Sequence, residues 1–425
     1  MTRQLRWLTG TALLAASLLV ASAAAAQEVT VIRAARLLDV TSGRIVSPAT
    51  VVIEGERILG VNPATVPEGA RILDLGDLTL LPGFIDMHTH LTGDLDKDSF
   101  RRRVREMPSD AALRGARNAR LTLRAGFTTV RNTASGGFSG VALMRAIDAG
   151  FLDGPRIFPA AHGLGITGGH CDATGLAPGL KEEGPEAGVA DGRDEILKAV
   201  RYQIKHGAKV IKTCATAGVL SFEGPVGAQQ YSEEELRVLV EEAHRHGVKV
   251  AAHAHGTEGI VAAVRAGVDS IEHGSMLSDE AIALMKERGT YLVPTTYLIG
   301  AINLDILPPP IRAKAEFVMP LAKASHERAV REGVKIAFGT DAAVVPHGTN
   351  AKEFAALVER GLTALQALQT ATINAAELLG VDDRGVIAAG TLADLVAVPG
   401  NPLDDIHVAE DIRFVMKGGQ VYRQP

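Results

Sequence analysis

The hydrophobic pattern changes twice along these 425 residues. From Val29 to Leu80, short alternating runs (VTVIRAARLLDV, ATVVIEGERILGV and ARILDLGDLTLLP) are separated by Gly, Asn and Pro turns. Period-two alternation over such spans predicts the strands of a small β-sandwich. Text of this kind returns only at the far end, in GVIAAGTLADLVAVPG and DIRFVMKGGQVYR. The simplest topology joins both ends in one small β domain, made of residues 27–80 and 381–425, with residues 81–380 inserted between them.

The inserted section has a different rhythm. Apolar runs recur at PGFIDMHTHL, FTTVRNT, PRIFPAAH, AKVIKTCAT, KVAAHAHG, SIEHGS, YLVPTTY and KIAFGTDA, and Ala/Leu/Glu-rich helical segments lie between most of them. Eight alternating units predict an α/β fold of the (β/α)8 TIM-barrel type; an open doubly wound sheet is the alternative, because periodicity does not reveal closure. One helix start is well marked, by Ser232 and Glu235 as a capping box ahead of LRVLVEEAHRHG.

Composition changes this picture little. The chain is 46% hydrophobic and 22% charged, which suits a large globular core, and a formal charge of −5 without basic blocks gives no electrostatic footprint for nucleic acid. Residues 1–26 stand apart: Arg3 and Arg6 precede an uncharged run from Thr11 to Ala26 that ends in small residues. That is the pattern of a cleavable signal peptide and predicts a secreted or periplasmic protein with no stable membrane span after processing. Cys171 and Cys214 either pair in such a compartment or stay as buried small hydrophobes, and Cys171 is also a potential metal contact.

The chemistry gathers at the predicted strand ends. In an α/β barrel, groups at the C-terminal ends of strands converge on one site. Here those ends carry His88 and His90 on the first strand, Lys212 on the fourth, His253 and His255 on the fifth, His273 on the sixth and Asp341 on the eighth. Histidines at i and i+2 of a strand project to one side, as two ligands of one metal must. Each residue alone reads as an ordinary core or surface group; together, at corresponding places in successive units, they read as a metal centre. Lys212 cannot coordinate as an ammonium, but a lysine of lowered pKa can react with carbon dioxide to give an anionic carbamate able to bridge two metals.

The HTH at 88–90, the lysine of VIKTCAT, the later single histidines and the GTD of FGTDAA resemble the amidohydrolase superfamily over nearly the whole chain after the leader. TTVRNT, ITGGHCDATG, KVIKTCATAGV, YSEEEL and AAHAHG are similar to its prolidase-like group, related to imidazolonepropionases. That group includes Xaa-Pro dipeptidases, Xaa-Arg/Lys carboxypeptidases and amidases acting on ochratoxin A. The resemblance implies a homo-oligomeric hydrolase with two divalent metal ions, zinc being the expected ion, and N6-carboxylysine at Lys212. His88, His90 and Asp341 would hold one metal and His253 and His273 the other, with His255 an alternative to His253. A metal-bridging hydroxide would attack the amide before a C-terminal amino acid in a dipeptide or N-acyl amino acid, Asp341 acting as base and then acid. His162 and Tyr231 are the candidate donors to the oxyanion. Arg131 is the candidate for the substrate carboxylate, and His170, His255 and His347 are further candidate substrate contacts. Ring opening of the imidazolonepropionase kind, or a barrel kept as a non-catalytic scaffold, are the alternatives.

Overall fold

The computed structural model describes residues 29–425; the leader expected at 1–26 lies outside the described residues. Two groups of parallel strands run through the middle of the chain. One contains Phe84–Thr89, Phe127–Asn132 and Arg156–Pro159; the other contains Gly163–Leu164, Val210–Cys214, Lys249–Ala254, Ser270–His273 and Tyr291–Val293. The strands Phe84–Thr89, Phe127–Asn132 and Val210–Cys214 are buried along their whole length, as parallel strands covered on both faces must be. Helices such as Pro108–Arg124, Gly192–Lys205, Glu233–Arg245 and Thr257–Ala266 follow the strands in alternation. The fold is thus α/β with βα units in succession.

Seven of the eight expected runs contain strands of three or more residues. The eighth, KIAFGTDA, is held instead by single bridges, Leu292 to Ile336 and Thr89 to Ala342. Its backbone still bonds on both sides: Leu292 N donates to Lys335 O and Met87 N to Phe338 O, each at 2.8 Å. The ladder breaks for a local reason. A Cβ on Gly339 would lie 2.3 Å from Val293 Cγ1 and 2.9 Å from His88 Cβ, and Asp341 sits at φ 58°. The segment approaches its neighbours too closely, and turns too sharply, for a regular strand. On the other side of the sheet, Lys209 N donates to Pro159 O at 2.8 Å, which links the two strand groups.

Both chain ends meet in one place. Leu78–Pro82 pairs antiparallel with Leu395–Pro399 in a six-stranded sheet, and Val29–Ala34 lies in a separate four-stranded one. Ile32, Val51 and Ile58 of the smaller sheet share an apolar cluster with Leu80, Leu395 and Phe414 of the larger. The capping box at Ser232 forms as the sequence indicates, with Ser232 N donating to Glu235 Oε2 at 2.9 Å and Glu235 N to Ser232 Oγ at 3.2 Å.

Four phenylalanines knit the first two parallel strands to the eighth segment. Phe84 packs 5.6 Å from Phe127 and 4.9 Å from Phe354, and Phe338 lies 5.3 Å from Phe127 and 4.6 Å from Phe354, all between ring centroids. Each is fully buried. Truncating one leaves a cavity that the other three rings cannot close. Phe354→Ala is expected to lower the unfolding free energy by about 3–5 kcal/mol in urea denaturation, whereas Leu113→Ala, on an exposed helix face, should stay within about 0.5 kcal/mol.

Candidate metal centre

The expected ligands come together at the C-terminal ends of the strands, around a cavity of about 430 Å³. His88, His90 and Asp341 form one group, and His253, His255 and His273 form a second; within each, the ligand atoms lie within 4.8 Å of one another. Asp341 Oδ1 is 3.6 Å from His88 Nε2 and 3.4 Å from His90 Nε2. Lys212 lines the same cavity, and the parallel register sets its strand beside that of His253, with Cys214 opposite His253. Four of the strand ends carry left-handed backbone on non-glycine residues: Ala161 at φ 60°, His273 at φ 71°, Thr295 at φ 52° and Asp341 at φ 58°. Such conformations persist only where the surroundings enforce them.

Burial sets the charge of every group. Desolvation, helped by neighbouring Lys212 and other imidazoles, holds His88, His253 and His273 well below the ordinary histidine range, and brings His90 to about 4 and His255 to about 3. The imidazoles are therefore neutral at pH 7 and keep a lone pair each for a cation. The same desolvation lowers Lys212 to about 8 and raises Asp341 to about 6. His88 is oriented by Glu272, whose Oε2 lies 2.7 Å from Nδ1, and His273 by Thr295 Oγ1 at 2.9 Å. His255 Nδ1 faces Ser275 Oγ at 2.7 Å. The Nε2 of His253 is buried without any hydrogen-bond partner, a cost that a bound cation would remove.

The amidohydrolase family model matches residues 79–422. The chain belongs to the amidohydrolase family. It is similar in structure to an Xaa-Pro dipeptidase solved with methionine in its active site, with a TM-score of 0.88 and 40% identity, covering 93% of this chain and 100% of that one. Ochratoxinase from Aspergillus niger is 36% identical over 370 residues, 81% of this chain and 76% of its own length. The imidazolonepropionase of Deinococcus radiodurans is 27% identical over 379 residues, 84% and 86% of the two chains. Family membership and these relatives make the protein a hydrolase of TIM-barrel type.

Several residues predicted to touch substrate are placed elsewhere. Arg131 is buried below the cavity, its Nη2 paired with Glu272 Oε1 at 2.7 Å, its Nε donating to Met87 O at 2.6 Å and its Nη1 to Ser270 Oγ at 3.0 Å. With its donors so engaged, it is a structural ion pair and not a receptor for a carboxylate. Tyr231 is fully buried and donates its hydroxyl to Ala190 O at 2.8 Å, so it packs beside the helix start and does not reach the cavity. His162 is held outside the cavity lining, accepting from Gly137 N at 2.9 Å with its Nδ1 3.0 Å from Gln203 Oε1. His347 is buried with Nε2 donating to Gly93 O at 2.9 Å. His170 and His255 do line the cavity, and the His170 ring lies 4.1 Å from that of His253. Cys171 is joined to Cys214 in a disulfide, with Cα atoms 5.8 Å apart, which removes it as a metal contact.

Four residues in or beneath the site escape a sequence reading. Glu272 stands in SIEHGS, and an acidic residue inside so apolar a run was the signal that a buried cation faces it. His326 and Arg103 sit in helical segments with no strand-end mark and reach the cavity only in three dimensions. Deeper still, Glu353 accepts from Thr296 N at 2.8 Å and Tyr297 N at 2.6 Å, fixing the turn that carries Thr295 to His273.

Two expectations follow. Glu272→Gln leaves the Arg131 guanidinium buried without its charge partner and should cost about 3–5 kcal/mol in thermal unfolding, part of it recovered by adding Arg131→Gln. For Glu353, burial raises the carboxyl from 4.5 to about 8. A raised folded pKa means that the native state takes up a proton, so the group's contribution is fully present below the unfolded value and is lost as pH rises through about 8. Unfolding measured from pH 5 to pH 8 should therefore shift progressively in favour of Glu353→Gln relative to wild type; parallel curves would refute the raised pKa.

Proposed function

We propose that this protein is a binuclear metal-dependent hydrolase that cleaves the amide bond before the C-terminal amino acid of dipeptides or N-acyl amino acids. The observation that carries the reading is the pair of three-residue ligand groups facing one cavity with Lys212 on its wall. His88, His90 and Asp341 would hold one divalent ion and His253 and His273 the other, with His255 beside them; nitrogen and oxygen ligands suit zinc. Lys212 would lie between the two as N6-carboxylysine. Desolvation favours that chemistry: the neutral amine adds through its lone pair to the carbon of carbon dioxide, forming an N–C bond and releasing one proton to solvent.

Bound divalent cations supply Lewis acidity and lower the pKa of water toward neutrality. The chain's own groups do the rest. Asp341, with a pKa pushed to about 6, is suited to take a proton from the attacking water and pass it to the leaving nitrogen. The Nδ1 of His170 is engaged by Ser221, which itself donates to Glu223, so the ring is held on the cavity wall as a candidate contact for the substrate. The similarity to an Xaa-Pro dipeptidase and to ochratoxinase supports an amide flanking a C-terminal amino acid.

The same reading extends to architecture and compartment. A closed barrel is supported by the backbone bonds of segment 335–342 to both neighbours, and a small sandwich of both chain ends by their shared apolar cluster. The Cys171–Cys214 bond supports export to an oxidising compartment, secreted or periplasmic.

Metal content per chain, measured on wild type and Lys212→Ala alongside amino acid release from dipeptides and N-acyl amino acids, tests the proposal. Two metals in wild type are expected, with metal and turnover falling together in the variant, turnover by at least about a hundredfold. One metal, with a variant that keeps both metal and activity, would move the protein to the mononuclear ring-opening branch.

A further inference from the structure

The cavity has two unlike halves. One is the face of histidines, Lys212 and Asp341; the other is aliphatic. Val219 and Leu220 come from the loop after Val210–Cys214, Leu298 and Ile302 from a short helical turn, and Val318 and Met319 from the helix Pro309–Arg331. No carboxylate interrupts this wall among the described residues that line the cavity. The acidic residues lining it are Asp94 and Asp341, and Asp94 already faces Arg117 Nη2 at 2.5 Å and Arg114 Nε at 4.0 Å. A cationic side chain entering the aliphatic half would lose its hydration without gaining a partner.

The cations are as unevenly placed. Among the described lining residues, the lysines and arginines are Lys212 and Arg103. Lys212 belongs to the metal face, and Arg131 is spent on Glu272. Arg103 stands exposed at the rim on the helix Ser99–Arg105, its guanidinium carbon 5.2 Å above the Phe100 ring. Its Nη2 makes one long hydrogen bond, 3.4 Å to Leu220 O; Glu223 acts on its charge from beyond ion-pair distance, and no carboxylate among the described residues pairs with it directly. A planar fork of donors without a direct ion pair, beside an aliphatic wall, suits a carboxylate attached to an apolar body.

We propose that Arg103 receives the free carboxylate of the substrate and the aliphatic wall its bulky apolar substituent, so that the preferred substrates are apolar N-acyl amino acids and not dipeptides ending in Lys or Arg. This rests on the hydrolase reading above and names the substrate class within it. Phe100, packed under the guanidinium and 5.4 Å from Phe222, holds Arg103 at the rim.

The test compares N-acyl-phenylalanine, its carboxamide and N-acyl-lysine on metal-loaded wild type, Arg103→Met, Arg103→Lys and Met319→Asp. Arg101→Met, two residues away on the same helix, is the control for a general loss of positive charge. Wild type is expected to prefer the free acid of phenylalanine over both others. Arg103→Met should raise KM for that acid by about 10–100-fold with kcat little changed, and so collapse its preference over the carboxamide. Arg103→Lys should restore part of the preference, and Met319→Asp should shift it toward the lysine substrate. A wild type that cleaves acid and carboxamide equally, or prefers lysine, overturns this proposal and leaves the hydrolase reading standing. Release of no amino acid from any of the three brings down both.

Discussion

One buried carboxylate fixes the geometry on which the metal face depends. Glu272 accepts on Oε1 from Arg131 and Ser270, and its Oε2 meets His88 Nδ1. Two full charges out of water are costly, and they are tolerated only when nearly every donor and acceptor is used. Arg131 meets that condition by reaching back to Met87 O, so the pair ties Phe84–Thr89 and Phe127–Asn132 across the interior to Ser270–His273 in the other strand group. Because Nδ1 of His88 is taken, Nε2 is the nitrogen left to face Asp341. The ion pair thereby selects the ligand atom, as an outer partner of a metal-ligating histidine does. It also withdraws Arg131 from substrate binding, which moves recognition of a carboxylate to the rim.

Desolvation that fixes this pair also prepares the rest of the site. Neutral histidines, a lysine lowered to about 8 and an aspartate raised to about 6 are all consequences of the same burial. None of these states is comfortable for the apo chain: His253 Nε2 has no partner, and four strand ends are held in left-handed backbone. Stability must come from elsewhere, and the four-phenylalanine cluster and the paired chain ends are where large apolar side chains are buried without polar cost. A cation would then find the histidine ligands already in place and uncharged.

Periodicity made most of the fold legible because it reports burial, and burial is what a parallel strand or an amphipathic helix obeys. Seven strands and the capping box at Ser232 lie where alternation and composition put them. The eighth run failed as a ladder because Gly339 and the turn at Asp341 obey local contacts that a hydrophobic pattern does not encode. The site divides along the same line. Residues marked by strand ends, His88, His90, Lys212, His253, His273 and Asp341, converge, since the topology itself carries them to one end. Arg131, Tyr231, His162 and His347 are marked only by residue type near those ends, and type does not say whether a hydrogen bond is already spent. Arg131 shows this most clearly, because the same guanidinium fork that suits a substrate carboxylate suits Glu272, and the two choices differ only by which is within reach.

The glycine-rich stretch after Gly163 brings His170 and Cys171 to the cavity wall. As a loop at the cavity mouth its glycines suggest freedom, but the structure uses them for close approach. A Cβ on Gly165 would lie 2.7 Å from Cys171 Cβ, and one on Gly218, in the facing loop after Val210–Cys214, would lie 2.1 Å from the His170 ring. The disulfide carries Cys171 to Cys214, two residues past Lys212, and Lys314 holds the facing loop by donating to Ser221 O at 3.0 Å and Glu223 O at 2.6 Å. His170 is thus wedged between two tethered segments, with Ser221 donating onward to Glu223 Oε1 at 2.6 Å. A group anchored this way loses little further entropy when it engages a ligand. The loop is a fixed wall of the site, and access for substrate then falls to the aliphatic side and the rim around Arg103.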